Sequence, residues 1–172
     1  YGGSGSDIGK DIVSDGSNIM ITGNTNSSNF PLAAAGFQGA NGGADDAFIV
    51  KLGLNGIPIW ATYYGGSSSD YGHGIAFDVF TTDIIITGQA RSGGLSTVGS
   101  QQPANAGQYD AFVARFTTAG GRVWATYYGG PNNDTGKGIA IDNGGDIIIT
   151  GDNESGSLPL TAGGFQPGYA GA

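Results

Sequence analysis

The chain has 172 residues, of which 35 are glycine, with 38% hydrophobic and 12% charged residues and a formal net charge of −8. That length holds one ordinary domain with a real core. The glycines lack the three-residue period of collagen, and the isoleucine and aromatic content argues against disorder. The acidic balance speaks against nucleic acid and anionic membrane surfaces as partners, and the lack of cysteine excludes disulfides and cysteine–zinc sites. No apolar run is long enough for a membrane-spanning helix, so membrane insertion is not expected.

The phrase "YGG" opens the chain at Tyr1 and returns at Tyr64 and Tyr128, 63 and 64 residues apart. The agreement extends through "YGGSGSDIGKDI", "YGGSSSDYGHGI" and "YGGPNNDTGKGI". Each unit reads as four short strands. The first is expected at Ile12–Val13, Ile75–Phe77 and Ile139–Ile141. Turn signals follow it, "SDGSN" and "DNGGD". The second is the run "NIMITGN", "DIIITGQ" or "DIIITGD", whose β-branched residues suit a pleated surface. A long Gly, Ala, Ser and Pro connection then carries "NFPLAAAGFQ" or "SLPLTAGGFQ", with "GLSTVGSQQP" in the middle copy. The third strand is expected at Ala47–Leu52 and Ala111–Phe116, after Asp46 and Asp110. The fourth is expected at Ile57–Tyr64 and Val123–Tyr128, where "WATYYGG" occurs twice. The units fall at 1–63, 64–127 and 128–172.

Alternation in the fourth strand puts Ile57, Ile59, Ala61 and Tyr63 on one side and Pro58, Trp60, Thr62 and Tyr64 on the other. Both sides are largely apolar, as expected of a sheet packed on both faces by neighbouring sheets. The predicted fold is all-β: tandem four-stranded antiparallel blades, β-propeller-like, about 2.7 repeats, open or partial. A β-solenoid or stacked-sheet fibre is the alternative. So few blades do not close a ring, so the open edges are expected to be completed by the remainder of a longer chain or by further copies of this one.

The repeated string YGG-x3-D-x-G-x-x-I, TG, FPL…GFQ, DAF and W-A-TYYGG resembles the SBBP-type bacterial β-propeller repeat along the whole chain. That resemblance implies an extracytoplasmic, cell-surface or secreted protein with no catalytic activity. The middle copy departs from it with "LST" and "SQQ", which places the difference in its long loop and not in its blade.

A residue held at one register in every copy is most simply structural, whereas catalytic residues should be singular. His73 is the sole histidine, yet its register holds Lys10 and Lys137, so a surface or structural role is preferred over a base or metal ligand. Asp7, Asp70 and Asp134, then Asp15, Asp78 and Asp142, recur where turns need capping. Asp142 and Asp146 in "DNGGD" are the best candidates for calcium, a weak pattern with two carboxylates. Glu154, the sole glutamate, has no facing carboxylate for glycoside hydrolysis. Lys51 and Arg115 share a register and are expected to reach a strand end or a recurring Asp. Trp60 and Trp124 read mainly as blade packing, with a sugar platform as the alternative.

No catalytic or cofactor-binding residue is identified. The expected contacts with a protein or glycan at the cell surface are Trp60, Trp124, Arg91 and Glu154, the last two in the variable loops Gln89–Ser96 and Asp152–Ser157. Asn24–Asn29 is the third such loop. The function expected is a non-enzymatic, extracellular structural or interaction module; a self-associating filament subunit and a carbohydrate-binding or carbohydrate-cleaving propeller are the alternatives.

Overall fold

The computed structural model describes residues 1–34 and 36–159. The "GFQ" of the third copy, Gly164 to Gln166, lies outside them. Ten strands form in chain order: β1 (Asp7–Ser14), β2 (Asn18–Thr25), β3 (Asp46–Gly53), β4 (Pro58–Tyr64), β5 (Asp70–Asp78), β6 (Asp83–Ala90), β7 (Asp110–Thr117), β8 (Arg122–Tyr128), β9 (Asp134–Ile141) and β10 (Ile147–Asn153). They make two four-stranded meanders, β1-β2-β3-β4 and β5-β6-β7-β8, and a β9-β10 hairpin, with every pairing antiparallel. The all-β, blade-by-blade reading of the sequence is the observed architecture.

The first strand of each blade is longer than its apolar residues suggested. It starts at the Asp after "YGG" and runs through a segment rich in polar residues and glycine. Those glycines are demanded by close approach, not by turns. A Cβ on Gly72 would lie 2.5 Å from Thr22 Oγ1 of the preceding blade, and one on Gly136 would lie 2.1 Å from Thr87 Oγ1. The Gly of each "TG" faces the same limit inside its own blade, since a Cβ on Gly88 would sit 1.8 Å from the Tyr71 carbonyl oxygen.

Successive blades pack head to tail. One face of the first blade carries Met20, Ile49, Trp60 and Tyr64, and these join Ile84, Ile86, Phe112 and Phe116 of the second blade in one buried cluster. The opposite face of the first blade carries Phe48, Val50, Ala61 and Tyr63. It is covered by Phe30 from the blade's own long connection, so a loop does there what a neighbouring sheet was expected to do. The outer ends of the fourth strand are wet: Ile57 and Ile59 are exposed.

The contacts between blades gather on the first strands. β5 lies against β1, β2 and β3, and β9 lies against β5, β6 and β7. The first strands therefore run side by side along one line, the arrangement of propeller blades around an axis.

Candidate functional site

The loops at the Asp7 end of the blades share one hydrogen-bonded frame. Asp7, Asp70 and Asp134 each accept a backbone N–H from the "YGG" segment, from Gly3 at 2.7 Å, Gly66 at 2.8 Å and Gly130 at 2.7 Å. The Ser27 and Ser155 hydroxyls donate to Asp7 and Asp134, and the Ser92 amide donates to Asp70. The Tyr63 hydroxyl donates to the Ser27 carbonyl at 2.6 Å and accepts from the Phe30 amide. Tyr127 repeats this with Ser92 and Leu95.

The long loops are held alike despite their divergence. The Gln38 side-chain nitrogen donates to Asp46 at 2.8 Å and its oxygen accepts from Gly65. Gln102, in the "SQQ" of the middle copy, makes the same pair of bonds to Asp110 and Gly129. The middle loop thus keeps the frame although "SQQ" replaces "GFQ" there.

On this frame sits one exposed register that differs from blade to blade. Asn26, Arg91 and Glu154 occupy it, and their backbone amides donate to Ser6, Ser69 and Asn133. All three are solvent-exposed. Glu154 also accepts from the Asn133 side chain at 3.0 Å. The sequence singled out Arg91 and Glu154; the structure shows that they are equivalent positions on neighbouring blades.

Trp60 is not available as a ligand contact. Its ring is buried at 4% exposure against the second blade, and its indole N–H donates to the Thr118 carbonyl at 2.9 Å. Trp124, at the same register, is half-buried. It borders an open cleft of about 340 Å³ with Thr97, Gln101 and Thr126. Lys51 reaches Asp15 at 3.6 Å, and Arg115 reaches Asp83 at 2.7 Å and Asp78 at 3.2 Å. These Asp residues also cap turns. Asp15 accepts from the Ser17 and Asn18 amides, and Asp78 from the Phe80 and Thr81 amides and the Thr81 hydroxyl. The Thr81 hydroxyl bond, against the opposing effect of burial and with help from backbone amides and Arg115, holds Asp78 below the usual carboxylate range.

Asp142 and Asp146 form an ordinary turn. Asp142 Oδ1 accepts from the Gly144 and Asp146 amides at 2.8 and 2.9 Å. Among the described residues no group of three or more His, Asp or Glu side chains is placed to hold a metal ion. His73 lies elsewhere, half-buried on β5, in a cleft that Lys10 and Lys137 also line.

No family model matches the chain. Over 130 aligned residues it is 25% identical to an uncharacterized WD repeat-containing protein of Acanthamoeba polyphaga mimivirus. The match takes in 62% of this chain and 9% of that protein, so the chain corresponds to less than a tenth of its relative's length. The blades, their order and their packing define a β-propeller-like repeat protein.

Proposed function

We propose that the chain is a non-enzymatic interaction module whose binding face is the row of loops after β2, β6 and β10, and that its partner is a protein. One observation carries this reading: Asn26, Arg91 and Glu154 present three different side chains on one repeated, rigid frame. A rigid scaffold with variable exposed loop positions is how repeat propellers recruit partners. The "YGG", "TG", "GFQ" and "DAF" phrases support an SBBP-type repeat working outside the cytoplasm, on a bacterial surface or in a secreted protein. The WD repeat relative supports the coarser likeness to propellers.

A protein array probed with the purified chain tests this. The double variant Arg91→Glu, Glu154→Arg should lose the array partners while melting like the wild type. Partners retained after charge reversal, or turnover of chromogenic glycoside and ester substrates, contradict it. Immunodetection in fractionated source cells tests location, with signal in the surface or culture-medium fraction expected and signal confined to the cytosol contrary.

A second reading is favoured by Trp124, whose half-buried ring in a polar-rimmed cleft suits stacking on a sugar. A glycan array discriminates the two. Binding abolished by Trp124→Ala and kept by the charge-reversal variant would replace the protein-partner reading.

A further inference from the structure

The cleft around His73 is built by the repeat itself. It is lined by three registers taken from each of three blades. Ile8, Tyr71 and Thr135 form one register, Lys10, His73 and Lys137 the second, and Asn24, Gln89 and Asp152 the third. The cleft holds about 400 Å³ and is open to solvent.

The second register has an unusual backbone. In β1 the pairing with β2 passes from Gly9 to Asp11, skipping Lys10. In β5 it passes from Gly72 to Gly74, skipping His73. In the β9–β10 pair it shifts between Thr150 and Gly151, whose partners are Gly138 and Gly136, skipping Lys137. Each of the three residues is therefore the extra residue of a β-bulge, and bulges re-aim side chains out of the ladder. Three blades use the same device to bring a cationic or ionisable group to one mouth.

Charge elsewhere makes the gathering selective. The chain is acidic overall, and it has only six lysines and arginines. Lys51 and Arg115 are consumed by Asp pairs, and Arg122 lies over the Phe37 ring at 4.3 Å. Lys10 forms no salt bridge among the described residues, while Lys137 pairs with Asp152. Polar side chains complete the rim: the Thr135 hydroxyl donates to Gln89 at 2.6 Å and ties the second blade to the third.

We propose that Lys10, His73 and Lys137 form a binding site for a small, multiply charged oxyanion of the phosphate or sulfate class, seated where the first strands of the blades meet. Lys10 supplies a charge-assisted hydrogen bond directly, and Lys137 a second by exchanging its solvent-exposed pairing with Asp152 for the anion. His73 adds a third donor when protonated. Burial, then Lys10 and Lys137, hold the imidazole below its ordinary range, which favours the neutral form in the empty site. A bound oxyanion reverses that balance and draws a proton onto His73. The other titratable groups of the cleft are Asp152, across from Lys137, and Tyr71, whose ring stacks beside His73 at 6.5 Å between centroids.

His73 is the only histidine in the chain, so its ring resonances report on this site alone. Inorganic phosphate and inorganic sulfate are titrated separately at constant ionic strength, followed by methyl phosphate and methyl sulfate to separate the two ester sources. Saturable shifts of the His73 signals, with its pKa raised in the complex, are expected. Lys10→Gln and Lys137→Gln should each weaken binding about 10-fold, the loss of one charge-assisted bond. Both lysines are exposed, so melting temperatures should not change. Arg122→Gln, outside the cleft, should bind the oxyanion like the wild type. Non-saturating shifts, an equal response to chloride, or equal binding by the double lysine variant would overturn the proposal.

Discussion

Asp46 is fully buried beside the "YGG" turn that leads out of its blade. One carboxylate oxygen accepts from Gly42 and Gln38, and the other has no hydrogen-bond partner. Burial, opposed by the Gly42 amide and reinforced by Asp70, pushes its pKa up to about 6. An ordinary aspartate in the unfolded chain titrates near 3.9. The folded state therefore holds this proton more tightly, and the contribution of Asp46 to stability is fully present below about pH 4 and lost as the pH rises to about 6. Urea midpoints at several pH values in this window should fall with pH in the wild type and fall less in Asp46→Asn; parallel profiles would contradict this. Tyr127 offers a second test. Its hydroxyl serves the Ser92 carbonyl and the Leu95 amide, and Tyr127→Phe should cost about 1–3 kcal/mol in urea unfolding by stranding that amide. The recurrence of these residues was plain in the sequence. Their bonding was not, because the Gly42 amide, the Gln38 side chain, the Ser92 carbonyl and the Leu95 amide reach them only in the folded chain.

At the scale of strands, the second, third and fourth strands were legible because their apolar residues alternate or run together. The first strand was legible only at its Ile-rich end. Its glycines carry no strand signal of their own, yet Gly72 and Gly136 are there so that one blade can press on another. Gly88→Ala should cost about 3 kcal/mol or more, since the added methyl meets the Tyr71 carbonyl. Gly93→Ala should be near neutral, because nothing lies within 4 Å of a Cβ there. The paired tryptophans also separate at this scale. Trp60→Ala should cost about 3–5 kcal/mol as a buried aromatic between blades, and Trp124→Ala less than half as much, both read by urea unfolding. The repeated "WATYYGG" put them in equivalent positions; only the packed structure shows that one has a blade over it. The bulged register had a sequence signal too, a Gly flanking Lys10, His73 and Lys137, which in a strand marks a bulge.

For the whole molecule, the central claim is that successive repeats bring their first strands together along one axis. His73 of the second blade is then neighbour to Lys10 of the first and Lys137 of the third. An NMR titration of His73 in the ligand-free chain, alongside Lys10→Gln and Lys137→Gln, measures this directly. The expected result is a pKa below 6.5 in the wild type that rises when either lysine is removed. A His73 that titrates at 6.5 and ignores both substitutions would mean that the three blades do not share that mouth.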